Sequence, residues 1–328
     1  MFTTAWTFSA DAPYHDGVLR YATLGDATSL VAGRILATAT GVERWAPPRT
    51  AVELVGDDVI MTAVDGSDIR GLIVADATSG AIRREVTLTA ADGRPTPVRQ
   101  FNAGLSAGSG AFMHMQMGWA TAFALADGKQ LWATKVPGTG FYPVVAGPLV
   151  GLSGSDGLHA IDIATGAERW RAPFDGNDLA ASPRGGFFVS RGERVIELDV
   201  DGRELRSVAG RFSAADGELL AVMDGKDAVV VDGAGAEVAR ISPRGADDYV
   251  AAPGLCGRAV VYFRRADQTV WWHPARGAEA PIVKLEARKG EIEGQPRTVG
   301  PTLTEPPRCV GGLVLIQDWG ITAYRIPS

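Results

Sequence analysis

The chain has 328 residues, a formal net charge of −6 and 46% hydrophobic residues, enough apolar material to bury a substantial core. The acidic balance leaves no basic footprint for a phosphate backbone, so nucleic acid is excluded as the expected partner. No apolar run is long enough to cross a membrane as a helix, and two cysteines, Cys256 and Cys309, cannot make a disulfide scaffold.

Taken in order, the chain opens with an isolated β-type run over 3–8 that contains Trp6. Thr40-Gly41 leads to Trp45, and the runs 59–64 and 71–75 lead through Ser79-Gly80 to Arg84. A long connection over 89–98 passes into the glycine-rich stretch 104–110. In 112–117, Met113, Met115 and Met117 alternate with His114, so on a strand the thioethers share one face. Such a face could bind Cu(I), but a Met-filled layer between sheets is the plainer expectation. Asp127-Gly128 then leads to Trp132. The runs 141–145, 149–152, 158–163 and 167–174 read as four short strands, with Thr165-Gly166 between the last two and Trp170 four residues on. Further runs at 186–190 and 194–198 precede Asp201-Gly202 and Arg206, and those at 219–223 and 228–231 precede Gly235. A degenerate copy follows at Gly277, then a second long connection over 286–307, and finally the runs 312–316 and 321–326.

The marker glycines fall at 41, 80, 128, 166, 202, 235 and 277, giving steps of 39, 48, 38, 36, 33 and 42 residues. That is close to the ~40–45-residue period of a four-stranded propeller blade. Thr-Gly, Asp-Gly and Ser-Gly between apolar runs supply the positive φ of a tight turn. Short strands at this spacing predict an all-β fold. The C-terminal runs lack a fourth strand and 3–8 lacks a sheet, so 3–8 is expected to close the last blade and remove a free edge. Fourth-strand positions then lie near 6, 45, 84, 132, 170, 206, 239 and 281. The expectation is a single domain over 1–328, an eight-bladed β-propeller of four-stranded antiparallel blades. Seven blades is the alternative, because 17–46 is poorly patterned.

The phrase Ala160-Ile161-Asp162-Ile163-Ala164-Thr165-Gly166-Ala167-Glu168-Arg169-Trp170 resembles the pyrroloquinoline-quinone-type β-propeller repeat. The resemblance is close in this blade and faint over the rest of the chain. The repeat occurs in quinoprotein alcohol dehydrogenases and in the propeller lipoprotein of the outer-membrane barrel-assembly machinery. It implies that Trp6, Trp45, Trp132 and Trp170 pack between neighbouring blades beside Gly41, Gly128 and Gly166, as structural residues. The chain is shorter than the quinoproteins, and its cysteines lie far apart where theirs are adjacent. No cofactor is therefore expected.

Turns between second and third strands are rich in acid: Asp65, Asp68, Asp156, Asp224, Asp227, Asp267 and Asp318. They could form an acidic mouth for a cationic partner, or serve only as good turn chemistry. His15, His159 and His273 are scattered, and Asp199–Glu204 is too short for a twelve-residue calcium loop. The connections 89–110 and 286–308 are where binding residues are expected. Arg288, Lys289, Arg297 and Arg308 are the candidates. The leading expectation is a non-enzymatic module presenting these two loops to a protein or peptide. The alternative is a lyase, hydrolase or quinone-dependent oxidoreductase at the acidic mouth. Residues 1–6 carry no basic segment and no apolar run, so a cytoplasmic protein is expected if Met1 is native, and an exported one if a signal has been removed. A bridge between Cys256 and Cys309, near the starts of consecutive blades, is open.

Overall fold

A computed structural model describes residues 2–8, 22–24, 27–31, 34–47, 50–99, 104–137, 143–174, 179–245, 248–275, 278–285, 288–292, 295–299, 306–310, 312–317 and 321–327. These residues form antiparallel sheets whose strand order is that of an eight-bladed β-propeller. The blades span 22–45, 50–87, 104–135, 144–172, 179–209, 211–241, 250–284 and 308–325, the last completed by Thr3–Phe8. All eight fourth-strand positions named above fall on outer strands. The first blade, the one with the weakest sequence pattern, is present with strands of only three or four residues.

The chain divides into two compact units. One comprises 21–38 and 42–207 and holds the first five blades almost entire. The other comprises 1–20, 39–41 and 208–328 and holds the last three. In the latter, Thr3 lies opposite Arg325 and Phe8 opposite Ile321, so the N-terminal strand closes the final blade as expected.

Burial follows strand position. Second and third strands are buried on both faces, as in Gly157–Asp162 and Ala259–Arg264, whereas the outer strand Ile82–Thr87 is almost wholly exposed. Near-continuous apolar runs belong to strands covered on both sides. The apolar clusters join successive sheets: Met113, Met115 and Ala122 of the third blade meet Val150 and Ile161 of the fourth, and Phe187 and Val189 meet Leu158 and Ala160.

The joint between successive sheets is specific. Trp132 lies against Gly166 of the next blade, where an added Cβ would stand 2.5 Å from its Cγ, and Gly166 has φ +73°. Its indole N–H also donates to the Ile163 carbonyl at 2.7 Å. Trp45 and Trp170 repeat this, donating to Ala77 and Val200 at 3.1 and 2.9 Å and covering Gly80 and Gly202. Trp6 covers Gly41. In the second blade, Arg84 replaces the indole and donates to the matching carbonyl, Leu125, at 3.0 Å. Arg206 in the fifth turns inward instead, pairing with the fully buried Glu197 at 2.6 Å.

Three expectations are revised. The stretch 104–110 is not a loop: Gly104–Gly108 is the first strand of the third blade and only Ser109-Gly110 turns. Its small residues permit close approach, since a Cβ on Gly108 would sit 3.0 Å from Val145. Within the preceding connection, Val98–Arg99 pairs with the strand Asp68–Asp76 as a fifth strand of the second blade. Met117 leaves the Met113/Met115 layer and is 90% exposed.

Cys256 and Cys309 form a disulfide with Cα atoms 5.1 Å apart. It joins the first strands of the seventh and eighth blades. Closing a span of 53 residues constrains the unfolded chain by about 4 kcal/mol in the chain-entropy account. Cys309→Ser should lower the urea midpoint by a matching amount, and an unchanged midpoint would mean the bridge adds nothing. Gly166→Ala should cost more than about 2 kcal/mol, combining left-handed strain with displacement of the Trp132 ring. The same denaturation measurement reads it, with Gly192→Ala as a control, since a Cβ there meets nothing.

Candidate interaction surface

The turn between third and fourth strands begins with a carboxylate that organises it. Asp162 Oδ1 accepts the backbone N–H of Thr165 at 3.0 Å and its hydroxyl at 2.8 Å. The other oxygen takes two N–H groups of Arg169. Asp76 accepts from Thr78, from Ser79 twice, and from Arg83. Asp199 and Asp232 hold their own turns through backbone N–H groups, which is the role of the Asp199–Glu204 segment. The Arg169 and Thr165 bonds hold Asp162 below the usual carboxylate range. The Ser79 bonds bring Asp76 to about 2.

At the opposite end of each sheet lie the turns between second and third strands. Their carboxylates are mostly engaged by neighbours. Asp65 pairs with Arg70 at 3.0 Å. Asp224 and Asp227 share Arg240 at 3.2 and 2.9 Å. Asp267 accepts the Thr269 N–H and the Trp271 indole N–H. Asp68 faces the Ser67 hydroxyl at 3.5 Å and lies cross-strand from Arg99. Asp318 is outside the described residues.

Asp156 belongs to a closed charge network. His159, with a side chain 4% exposed, reaches Asp156 through Nε2 at 2.8 Å and Glu168 through Nδ1 at 2.7 Å. Arg171 bridges the same two carboxylates at 2.5 and 3.1 Å. Both ring nitrogens therefore face carboxylate oxygens. The His159 bonds hold the Asp156 and Glu168 carboxyls below their ordinary values. His114 is buried and bonds the Arg99 carbonyl at 2.9 Å, burial pushing its pKa down. His273 meets Glu279 at 3.2 Å, and His15 is outside the described residues. Among the described residues, no three His, Cys, Asp or Glu side chains are placed to hold a metal ion.

The second long connection carries structure of its own. Arg288–Ile292 and Gln295–Val299 form a two-stranded sheet separate from the blades, inserted between the last strand of the seventh blade and the first of the eighth. Arg288 and Lys289 lie on its first strand and Arg297 on its second. Arg308 begins the first strand of the eighth blade and is exposed.

Sequence reasoning missed one exposed feature. In the third blade the second-to-third-strand turn is Gln116-Met117-Gly118-Trp119, with Met117 90% and Trp119 51% exposed. The corresponding turns read Asp65-Gly66-Ser67-Asp68, Arg191-Gly192-Glu193-Arg194 and Asp224-Gly225-Lys226-Asp227. The signal was the apolar composition of a turn whose counterparts in the second, fifth and sixth blades are charged.

The depressed carboxyls set the acid limb of stability. A group with a folded pKa below its unfolded value of about 4 stabilises fully above that value, and its contribution fades as pH falls through the folded pKa. Urea midpoints should therefore fall from about pH 4 towards pH 2. Asp162→Asn should flatten that fall while lowering stability at pH 7. An acid limb identical to the parent's would show that Asp162 is not a source of it.

Comparison with known proteins supports the fold and its family. No curated protein matches the sequence. The crystal structure of BamB from Moraxella catarrhalis aligns with TM-score 0.59 and 14% identity, covering 99% of this chain and 100% of that one. Kluyvelomyces marxianus Hsv2 aligns with TM-score 0.52 and 8% identity, covering 81% and 88%. The family model described as outer membrane protein assembly factor BamB matches residues 116–302, more than half of the 328 residues, and the chain belongs to that PQQ-like propeller family.

Proposed function

We propose that the chain is a non-enzymatic scaffold that presents the segments 89–110 and 286–308 to a protein or peptide partner. The observation that carries this reading is the hairpin formed by Arg288–Ile292 and Gln295–Val299, which pairs with no blade. An element that adds nothing to its neighbours' ladders leaves its strands free for an outside contact. Its strands carry Arg288, Lys289 and Arg297, with Arg308 close behind, on a chain whose net charge is −6. Glu286, Glu291, Glu293 and Glu305 balance these cations, so the segment offers charges of both signs, which suits a partner surface of mixed charge. The family description, an assembly factor, supports a role in protein contacts. Among the described residues of the first segment, 89–97 and the turn at 109–110 lie outside the named strands, so the described recognition surface is narrower than the sequence implies.

The Cys256–Cys309 bridge supports residence in an oxidising, extracytoplasmic compartment, where such bonds persist.

Replacing 288–299 by a short Gly-Ser linker tests the scaffold reading. Recovery of co-purifying protein should fall at least tenfold while the thermal transition stays in place. Undiminished recovery with an intact fold would remove the hairpin from the interface.

A further inference from the structure

We propose that the turn Met117-Gly118-Trp119 is an anchor that inserts into an apolar pocket, rimmed by a carboxylate, on a folded partner protein. This rests on the scaffold reading and adds a contact site to it.

Two independent costs converge on Met117. It has φ +49° although it is not glycine, a conformation that costs an L-residue about 1–2 kcal/mol. It also holds its thioether side chain 90% exposed. Gly118 follows at φ +77°, so both central residues carry the positive φ of a two-residue hairpin turn. Gly or Asn at 117 would relieve the backbone, and a polar residue would relieve the solvation. The other such turns described above use Gly66, Gly192 and Gly225 with a polar or charged neighbour. The departure in the third blade brings no buried contact for Met117 within the fold.

The turn is tied by backbone hydrogen bonds to its own sheet and, through that sheet, to the next blade. The Gly118 carbonyl accepts the Val136 N–H at 2.7 Å, and the carbonyl of Pro137, the residue after Val136, accepts the Ser155 N–H of the fourth blade's turn at 2.7 Å. Below it, Met113 and Met115 are buried. A preorganised Trp and Met at a convex tip match what makes an interface hot spot: large apolar area presented at low entropic cost. A tip fills a pocket, so the occupant is a folded protein and not an extended peptide.

Charge fixes the pocket's rim. Lys135 lies directly cross-strand from Trp119, is exposed, and has no ion-pair partner among the described residues. Arg70 of the second blade and Arg171 of the fourth, by contrast, are both paired within their own blades. The unmatched ammonium beside the indole calls for a carboxylate on the partner.

The test is in-cell photocrosslinking of the full chain with p-benzoylphenylalanine at Met117, at Glu193 in the equivalent turn of the fifth blade, and at Lys289 in the hairpin. A single identified protein should crosslink at 117 and not at 193. With that protein purified, Trp119→Ala should weaken binding about thirtyfold and Lys135→Glu about tenfold. Changing the partner's rim carboxylate to lysine should restore binding to Lys135→Glu. Adducts at 117 to lipid or to a second copy of this chain would overturn the proposal, as would equal adducts at 193 or absent charge rescue. Adducts at 289 alone would overturn it while leaving the scaffold reading intact, and adducts at none of the three would remove both.

Discussion

Within the unit that holds the first five blades the structure depends on one joint: an indole laid on a glycine of the following blade, its N–H bonded to a carbonyl beside that glycine. Trp132 on Gly166 is the fullest example. Burial of the ring stabilises by several kcal/mol, while the hydrogen bond and the bare Cα fix where the ring must sit. The carboxylate of Asp162 keeps the turn in the shape that presents both. Sequence, turn geometry and sheet packing thus agree at each step, which is what allows a blade to be recognised by a handful of residues.

The same joint explains why the blades were legible and where legibility stopped. Gly, Asp and Trp at fixed offsets encode local geometry, and the register of eight outer strands could be counted from them. Arg84 kept its place because a guanidinium can donate to the same carbonyl that an indole would. The glycines at 104 and 108 misled because glycine serves both loops and close approach of sheets, and only tertiary contact with Val145 distinguishes them. Met117 misled for a related reason. Alternation places it with Met113 and Met115, yet the strand ends at Gln116 and the side chain has no sheet left to face. The disulfide was open in the sequence because two cysteines 53 residues apart reveal nothing of the distance between their Cα atoms until the strands are paired.

The candidate surface was less legible than the fold because charge in the sequence is not charge in the structure. The acidic turns read as a field, but Arg70, Arg171 and Arg240 answer Asp65, Asp156, Asp224 and Asp227 from within the same blades. Pairs of this kind are half-exposed and individually weak. Their combined effect is to cancel long-range potential and leave local shape and the unmatched groups, such as Lys135, to distinguish one face from another.

The N-terminal strand has a consequence for biogenesis. Thr7 and Thr322 meet across a sequence separation of 315, so a strand synthesised before the eight blades finds its neighbour only when the last of them has been made. Throughout synthesis Thr3–Phe8 is a bare edge with an apolar ring at its centre, and the hairpin Leu313–Arg325 has no outer cover until it arrives. Such a late, non-local docking step is slow and open to mispairing between chains. A nascent chain of this protein therefore has most need of a holding factor at Thr3–Phe8 and at the hairpin Leu313–Arg325, and a bulky group placed directly before Thr3 bears on the final stage of maturation more than on any earlier one.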